Sequence, residues 1–489
     1  MRLEDVLLLA AVAALPWFWG GVLLDAYRMA GAVVALAAGW ALARRGAAGL
    51  GLDRAAIWLL PAFLLGGLAF FQTVPLPRAW VEALSPKAAS VERDAFGPSG
   101  ESAEEWLRGI ERDARARVPE ASSASAPAGG PMRIGADAPQ PPARFTLSLA
   151  PSVTLERAFW YLALLLAFLL VHRRTADRRV AAAYRATLFA ALTALAVVGL
   201  VNRLTAPGRL LWIRDTPSET HSFGPYVNPS HFAGAMELAV PWLLGWGLAT
   251  FVDPGASRRA RGRHVLAIAA AVICAGAALF AASKLAAVTI GIASAVLLGA
   301  AIVGSRGRER LWLIAGSASM VVALAAIGLF GPLRGRVADF QAVHVSGPSQ
   351  GMRIIAWNAG SRIARDYPLT GIGFGAFADV IPAYLPRGES EAWLQLHNDY
   401  FEVVLAGGLM GTALFVWLAA AYVWRVARVL RHAAARGSTL PTLGLVLGLV
   451  AMAAHEAVDF NLQIPANALL FVAIAAMCVA PLARSGDRA

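Results

Sequence analysis

Two cysteines in 489 residues, Cys274 and Cys478, both inside apolar runs, leave no basis for a disulfide framework or a cysteine metal centre. Charge is also scarce: Asp, Glu, Lys and Arg supply 15% of the chain against 58% hydrophobic residues, and the mean hydropathy is +0.59. A soluble protein of this length carries more charge and far fewer long apolar runs. No Walker A, HExxH, CxxC or nucleophile-elbow pattern occurs. The P-loop, zincin, thiol-redox and serine-hydrolase readings therefore have no support. There is no clear internal repeat, and no pair of broken spans in corresponding halves points to an inverted-repeat transporter.

The apolar runs themselves are abundant. Windows of about 17–25 apolar residues, the length that spans a hydrocarbon core, recur along the chain. Lipid offers a backbone no hydrogen bonds, so these runs must be helical. The expected fold class is an all-α polytopic membrane protein of about 12 spans, near 6–24, 29–43, 55–74, 154–171, 186–202, 230–251, 265–282, 285–303, 311–330, 398–424, 441–458 and 465–483. The even number puts both termini on one side. Loops 41–54, 172–185, 252–264, 304–311 and 425–440 hold 19 Lys/Arg against 4 Asp/Glu. The positive-inside rule makes them cytoplasmic. That distribution, not nucleic-acid binding, accounts for the net charge of +12.

The opposite loops are long and balanced, so function is expected to face outward, to the periplasm or cell exterior. The expected organisation is 1–74 N-terminal spans, 75–153 an outer loop, 154–331 central spans, 332–397 a large outer loop and 398–489 C-terminal spans. Glu4 and Asp5 in the N-terminal flank favour a retained span over a cleaved signal. Residues 119–144, rich in Pro, Ala, Ser and Gly, read as disordered, and 101–117 as a short charged helix. The second outer loop differs. "RIIAWNAGSRIARDY" (353–367) has the apolar spacing of an amphipathic helix that Pro368 ends. "GIGFGAF" (371–377) reads as a tight turn, not a dinucleotide loop.

Polar residues gather at outer helix ends. Lys284 sits between apolar stretches at the mouth of a span. It reads either as a snorkelling lysine or as a cation that binds an anion, with Ser283 as a hydrogen-bond donor beside it. Arg214, His221, Asn228 and His231 precede or open the sixth span, and Glu237 enters it. Glu237 reads equally as an interhelical hydrogen-bonding group and as one that orients substrate. Arg353, Arg362 and Arg365 lie on the amphipathic helix, where one or two could grip a pyrophosphate with Lys284. His455, Glu456, Asp459 and Asn461 read as a tight polar turn, with His455 packed and hydrogen-bonded. In "HNDYFEVVLAGGLMG" (397–411), Asn398 or Asp399 suits a helix N-cap, with Glu402 on the same face. A cap needs no histidine, so His397 is left as a candidate proton acceptor near neutral pH. Gly407 and Gly411 behind it allow close approach.

"HNDYFEVVLAGGLMG", "NPSHFAGAMELAVP" (228–241), "RIIAWNAGSRIARDYPLTGIGFGAF" (353–377) and "DFNLQIPANALLF" (459–471) together resemble the signature of the O-antigen ligase and polymerase (Wzy-type) superfamily. The resemblance covers most of 150–480. It implies a GT-C-like fold and metal-independent glycosyl transfer without a cofactor on the outer face. The implied donor is a glycan on undecaprenyl pyrophosphate. The acceptor is a lipid A core sugar in a ligase or another lipid-linked repeat in a polymerase. A flippase and a chain-length regulator are the implied partners. The family's outer-loop histidine falls on His397, the arginine opening its amphipathic segment on Arg353, and its serine–arginine pair on Ser283–Lys284, where lysine keeps the charge but loses the fork. The expected mechanism has Arg353 and Lys284 neutralise the leaving pyrophosphate, His397 take the acceptor proton, and Asn398 and Glu402 orient the imidazole or a sugar hydroxyl. An O-linked oligosaccharyltransferase acting on protein, or a polysaccharide or lipid transporter, are the alternatives.

Overall fold

Among the described residues, regular structure is helical apart from two short antiparallel ladders, Leu76–Pro77 with Arg144–Phe145 and Arg209–Leu210 with Arg214–Asp215. In the computed structural model the residues described are 1–50, 54–96, 144–216, 222–252, 257–316, 348–386, 393–435 and 439–480. The expected helix 101–117, residues 119–143 of the insert and His221 lie outside them. The principal helices are α1 (Leu3–Ala14), α2 (Leu24–Arg45), α3 (Leu60–Phe71), α4 (Pro151–Arg174), α5 (Arg178–Thr205), α6 (Pro229–Val252), α7 (Arg258–Ala281), α8 (Lys284–Gly304), α9 (Pro348–Asp366), α10 (Asp399–Ala435), α11 (Thr439–His455) and α12 (Pro465–Cys478).

The expectation of an all-α polytopic membrane protein is met, and its count of about 12 spans in part. Among the described residues, seven helices (α2, α4 to α8 and α10) are long and apolar enough to cross a membrane, and Ile57–Phe71, α11 and α12 are shorter apolar helices. The first expected span, 6–24, ends early at Ala14. Pro16 and the left-handed Gly20 (φ 72°) and Gly21 (φ 79°) break it. The expected span 311–330 lies mostly outside the described residues. α11 and α12 are short because the chain between them folds inward as a polar turn.

The basic loops share one end of the bundle. There α1 packs through the two acids that argued against a signal peptide. Buried Glu4 pairs with Arg45, and Asp5, fully buried, accepts two bonds from Arg174, at 2.8 and 2.6 Å. Arg174→Met strands the Asp5 carboxylate. It should cost about 3–5 kcal/mol of stability, seen as a fall in thermal midpoint in detergent, and adding Asp5→Asn should recover most of it.

α6 is the central helix. Every residue from His231 to Leu243 is buried. It packs closely on α7 and α11, and glycine sets the second distance: a Cβ at Gly444 would come 2.4 Å from the Pro241 carbonyl oxygen.

At the end opposite the basic loops, residues 76–89, 145–147 and the segment around α9 share one apolar cluster. It holds Val81, Leu147, Ala356, Ala359, Ile363, Tyr367, Ile372, Phe377 and Leu396. The buried face of α9 is thus 356, 359, 363 and 367, whereas Ile354, placed on the apolar face by spacing, is 57% exposed. The GIGFGAF segment is a turn, and α10 explains its glycines. α10 is broken at Gly408 (φ 57°). The amides freed there, Leu409 and Met410, bond the Pro368 and Leu369 carbonyls, while Ile372 and Gly373 donate back to Leu405 and Ala406. The loop is stitched into the kink, and Gly407 and Gly411 receive the Phe374 ring.

Candidate functional site

The segment entering α10 is held from four directions. The Leu396 amide donates to Glu402 Oε2 at 3.1 Å, and the Leu396 carbonyl accepts from Trp357 Nε1 of α9 at 3.0 Å. Asn398 Oδ1 accepts from the Phe401 amide at 2.9 Å, and the Asp399 amide donates to the Glu456 carbonyl at 3.0 Å. Asn398 is therefore the N-cap, and Glu402 an anchor of residue 396. Between these fixed points His397 adopts φ 56°, a left-handed conformation that costs a non-glycine residue about 1–2 kcal/mol. The clamp turns the imidazole toward the polar turn after α11.

That turn supplies the centre of the site. Asp459, 4% exposed, is surrounded by three imidazoles. His231 Nε2 of α6 lies 3.6 Å from Oδ1, His397 Nδ1 lies 3.9 Å from Oδ1, and His455 Nε2 lies 3.5 Å from Oδ2. Phe460 contacts the rings of both His231 and His397 edge-on, at centroid distances of 4.5 and 4.8 Å. Burial raises the Asp459 pKa, but the three histidines outweigh it and hold the carboxyl well below the usual range. His397 Nδ1 is buried without a hydrogen-bond partner, yet the side chain is 30% exposed, so the accessible part of the ring is the edge away from Nδ1.

Two further layers support the cluster. His455 Nδ1 lies 3.0 Å from Glu237 Oε2, and the Thr289 hydroxyl of α8 donates to Glu237 Oε1. Glu237 is fully buried and faces the bundle, not lipid. Beside Asp459, Asp399 accepts from the Leu462 amide at 3.1 Å and from Gln463 Nε2 at 2.8 Å. Neighbouring Glu456 has its pKa raised by burial and then by the Asp399 carboxylate.

The structure thus brings His397, His231 and Glu237 together, and it adds Asp459, His455 and Thr289. His455 is packed and hydrogen-bonded, as its position suggested. Asn228 caps α6, accepting from the Ser230 amide at 2.9 Å, and its Nδ2 lies 3.5 Å from His231 Nε2. Arg353 lies one turn before Trp357 on α9, the residue that grips Leu396. Ser283, buried, and Lys284, exposed, begin α8 at the same end of the bundle. Arg214 instead stacks over Trp19, 4.7 Å from the ring centre. Sequence reasoning missed Arg157 of α4, whose side chain fills the space a Cβ on Gly375 (φ 85°) would take and whose charge acts on Glu402. A cation early in an apolar run was the available signal.

No curated protein matches the chain. A family model described as O-antigen ligase matches residues 269–416, from within α7 through α8, α9 and His397 into α10. His231, Glu237 and the 455–461 turn lie outside the match and are drawn to His397 by the fold. Over residues 269–416, which include His397, the chain is similar to the O-antigen ligase family.

Proposed function

We propose that the chain transfers a glycan from undecaprenyl pyrophosphate to a sugar hydroxyl, as a polysaccharide ligase or Wzy-type polymerase of GT-C-like architecture. The observation that carries this reading is the half-open His397, fixed by its backbone and backed by a buried carboxylate. With Nδ1 toward Asp459 and the opposite edge accessible, the ring is arranged to accept a proton from an incoming hydroxyl. Asp459 holds the tautomer that leaves Nε2 free and stabilises the imidazolium as it forms, although the 3.9 Å gap must close on substrate binding.

The leaving group needs positive charge, which grows in value as the anomeric bond breaks. Lys284 opens α8, and Arg353 stands one turn from the residue that clamps Leu396. The N-termini of α6, α8, α10 and α12 lie at this end too, and their dipoles favour anions. Attack on the anomeric carbon from the face opposite the pyrophosphate inverts it. The basic loops at the other end support a cytoplasmic assignment for them, hence a periplasmic site in the inner membrane and cytoplasmic termini. The buried histidines and the carboxylates around them sit in one cluster at one end of the bundle, and the other buried acids among the described residues, Glu4 and Asp5, are paired with arginines at the opposite end; this supports an enzyme over a transporter, where ionisable groups mark a path through the spans.

Charge removal tests the donor site. Arg353→Ala and Lys284→Ala should each weaken transfer with purified lipid-linked donor by about 10–100-fold, a loss of one charge contact to the leaving group. Arg353→Lys should recover only part of it. Full activity of Lys284→Ala would make that residue a snorkelling lysine.

A further inference from the structure

Behind Asp459 lies a pair the transfer step does not use, Glu237 and His455. His455 has a carboxylate oxygen at each ring nitrogen, Glu237 Oε2 at 3.0 Å and Asp459 Oδ2 at 3.5 Å. An imidazole can donate at both nitrogens only as the imidazolium. With His455 as the imidazolium, the three groups form a buried chain of charges, negative, positive, negative, with Glu237 fully buried and His455 3% exposed. Its net charge is one negative unit in a low-dielectric interior, which is costly. His231 and His397 face the chain at Asp459 Oδ1, and the Thr289 hydroxyl faces it at Glu237 Oε1. Glu456 and Asp399 stand beside Asp459 and act on it or on each other.

We propose that Glu237 and His455 are positioning residues that form a proton store with Asp459 and hold the acceptor's proton during transfer; this rests on His397 being the base. The acceptor hydroxyl proton passes to His397 Nε2 as oxygen bonds the anomeric carbon and the pyrophosphate leaves with the electron pair of the broken bond. His397 gives its Nδ1 proton to Asp459 Oδ1, and the His455 Nδ1 proton moves to Glu237 Oε2. His397 ends neutral with the new proton on Nε2. Asp459 and Glu237 end as neutral acids, and His455 ends neutral with its Nε2 proton donated to Asp459 Oδ2. One proton has entered, and three charged groups have become three neutral ones. The store empties to water later, through the half-exposed His397.

The test is a single turnover of the full chain in nanodiscs with a lipid-pyrophosphate-linked glycan and a hydroxyl acceptor, at a pH above the last pyrophosphate ionisation. Product formation and proton release to a pH-indicator dye are followed together. In the wild type, proton release should lag transfer. In Glu237→Gln, which keeps the shape but cannot take the charge, the lag should vanish and kcat should fall by roughly tenfold or more at unchanged donor KM. Release coincident with transfer in the wild type overturns the store whether or not the variant folds, and leaves the base reading standing if His397→Asn is inactive. A fully active His397→Asn overturns the base reading itself.

Discussion

His397→Ala should lower kcat for glycan transfer by about 10²–10⁴-fold, the usual worth of a positioned general base, while leaving donor KM and thermal stability nearly unchanged. The separation follows from what the side chain touches. Its Nδ1 makes no hydrogen bond, its nearest carboxylate is 3.9 Å away, and part of the ring is exposed. The fold loses the edge contact with Phe460, worth about 0.5–1.5 kcal/mol. It keeps the clamps on residues 396, 398 and 399, which belong to other groups. Alanine is no better than histidine at φ 56°, so His397→Asn is the sharper control. Asparagine accepts the left-handed backbone but cannot act as the base. Both variants should be inactive with a normal melting profile.

Asp459→Asn should behave differently, costing both activity and stability. One buried carboxylate faces three imidazoles at 3.5 to 3.9 Å. The amide keeps the shape and removes the charge that holds them. Transfer should fall by about 10²–10⁴-fold, because the base loses the group that fixes its tautomer and stabilises its imidazolium. Stability should fall by about 3–5 kcal/mol, the cost of leaving a buried charged partner unbalanced, measured by detergent denaturation. Combined with His397→Ala, the activity losses should fall far short of additivity, since both variants remove one proton-accepting unit. Additive losses would mean that Asp459 acts elsewhere.

What could be read from the chain and what could not divides along sequence separation. Asn398 as a cap and the leftover status of His397 were legible because helix N-termini have local rules. The turn at GIGFGAF was legible for the same reason. Its cause was not: the glycines pass the broken helix at Gly408 and the side chain of Arg157, both distant in sequence. Polarity inside an apolar run said that Glu237 must be satisfied, but not by whom. Its partners Thr289 and His455 are 52 and 218 residues away. Asp459 looked like part of an ordinary polar turn, because nothing near it in sequence reveals that His231 and His397 converge on it. The end of the first span was not legible, because hydropathy is blind to geometry. Pro16, Gly20 and Gly21 break an apolar run that windowed hydropathy reads as continuous.

The central claim is a glycosyl transfer in which His397 takes the acceptor proton. It is tested most directly by single-turnover transfer with the purified chain in nanodiscs, wild type beside His397→Asn, with the product's anomeric configuration read by NMR. The wild type should form the inverted linkage and release one lipid pyrophosphate per bond, and His397→Asn should form none above background. A retained configuration, or transfer by His397→Asn at the wild-type rate, would contradict it.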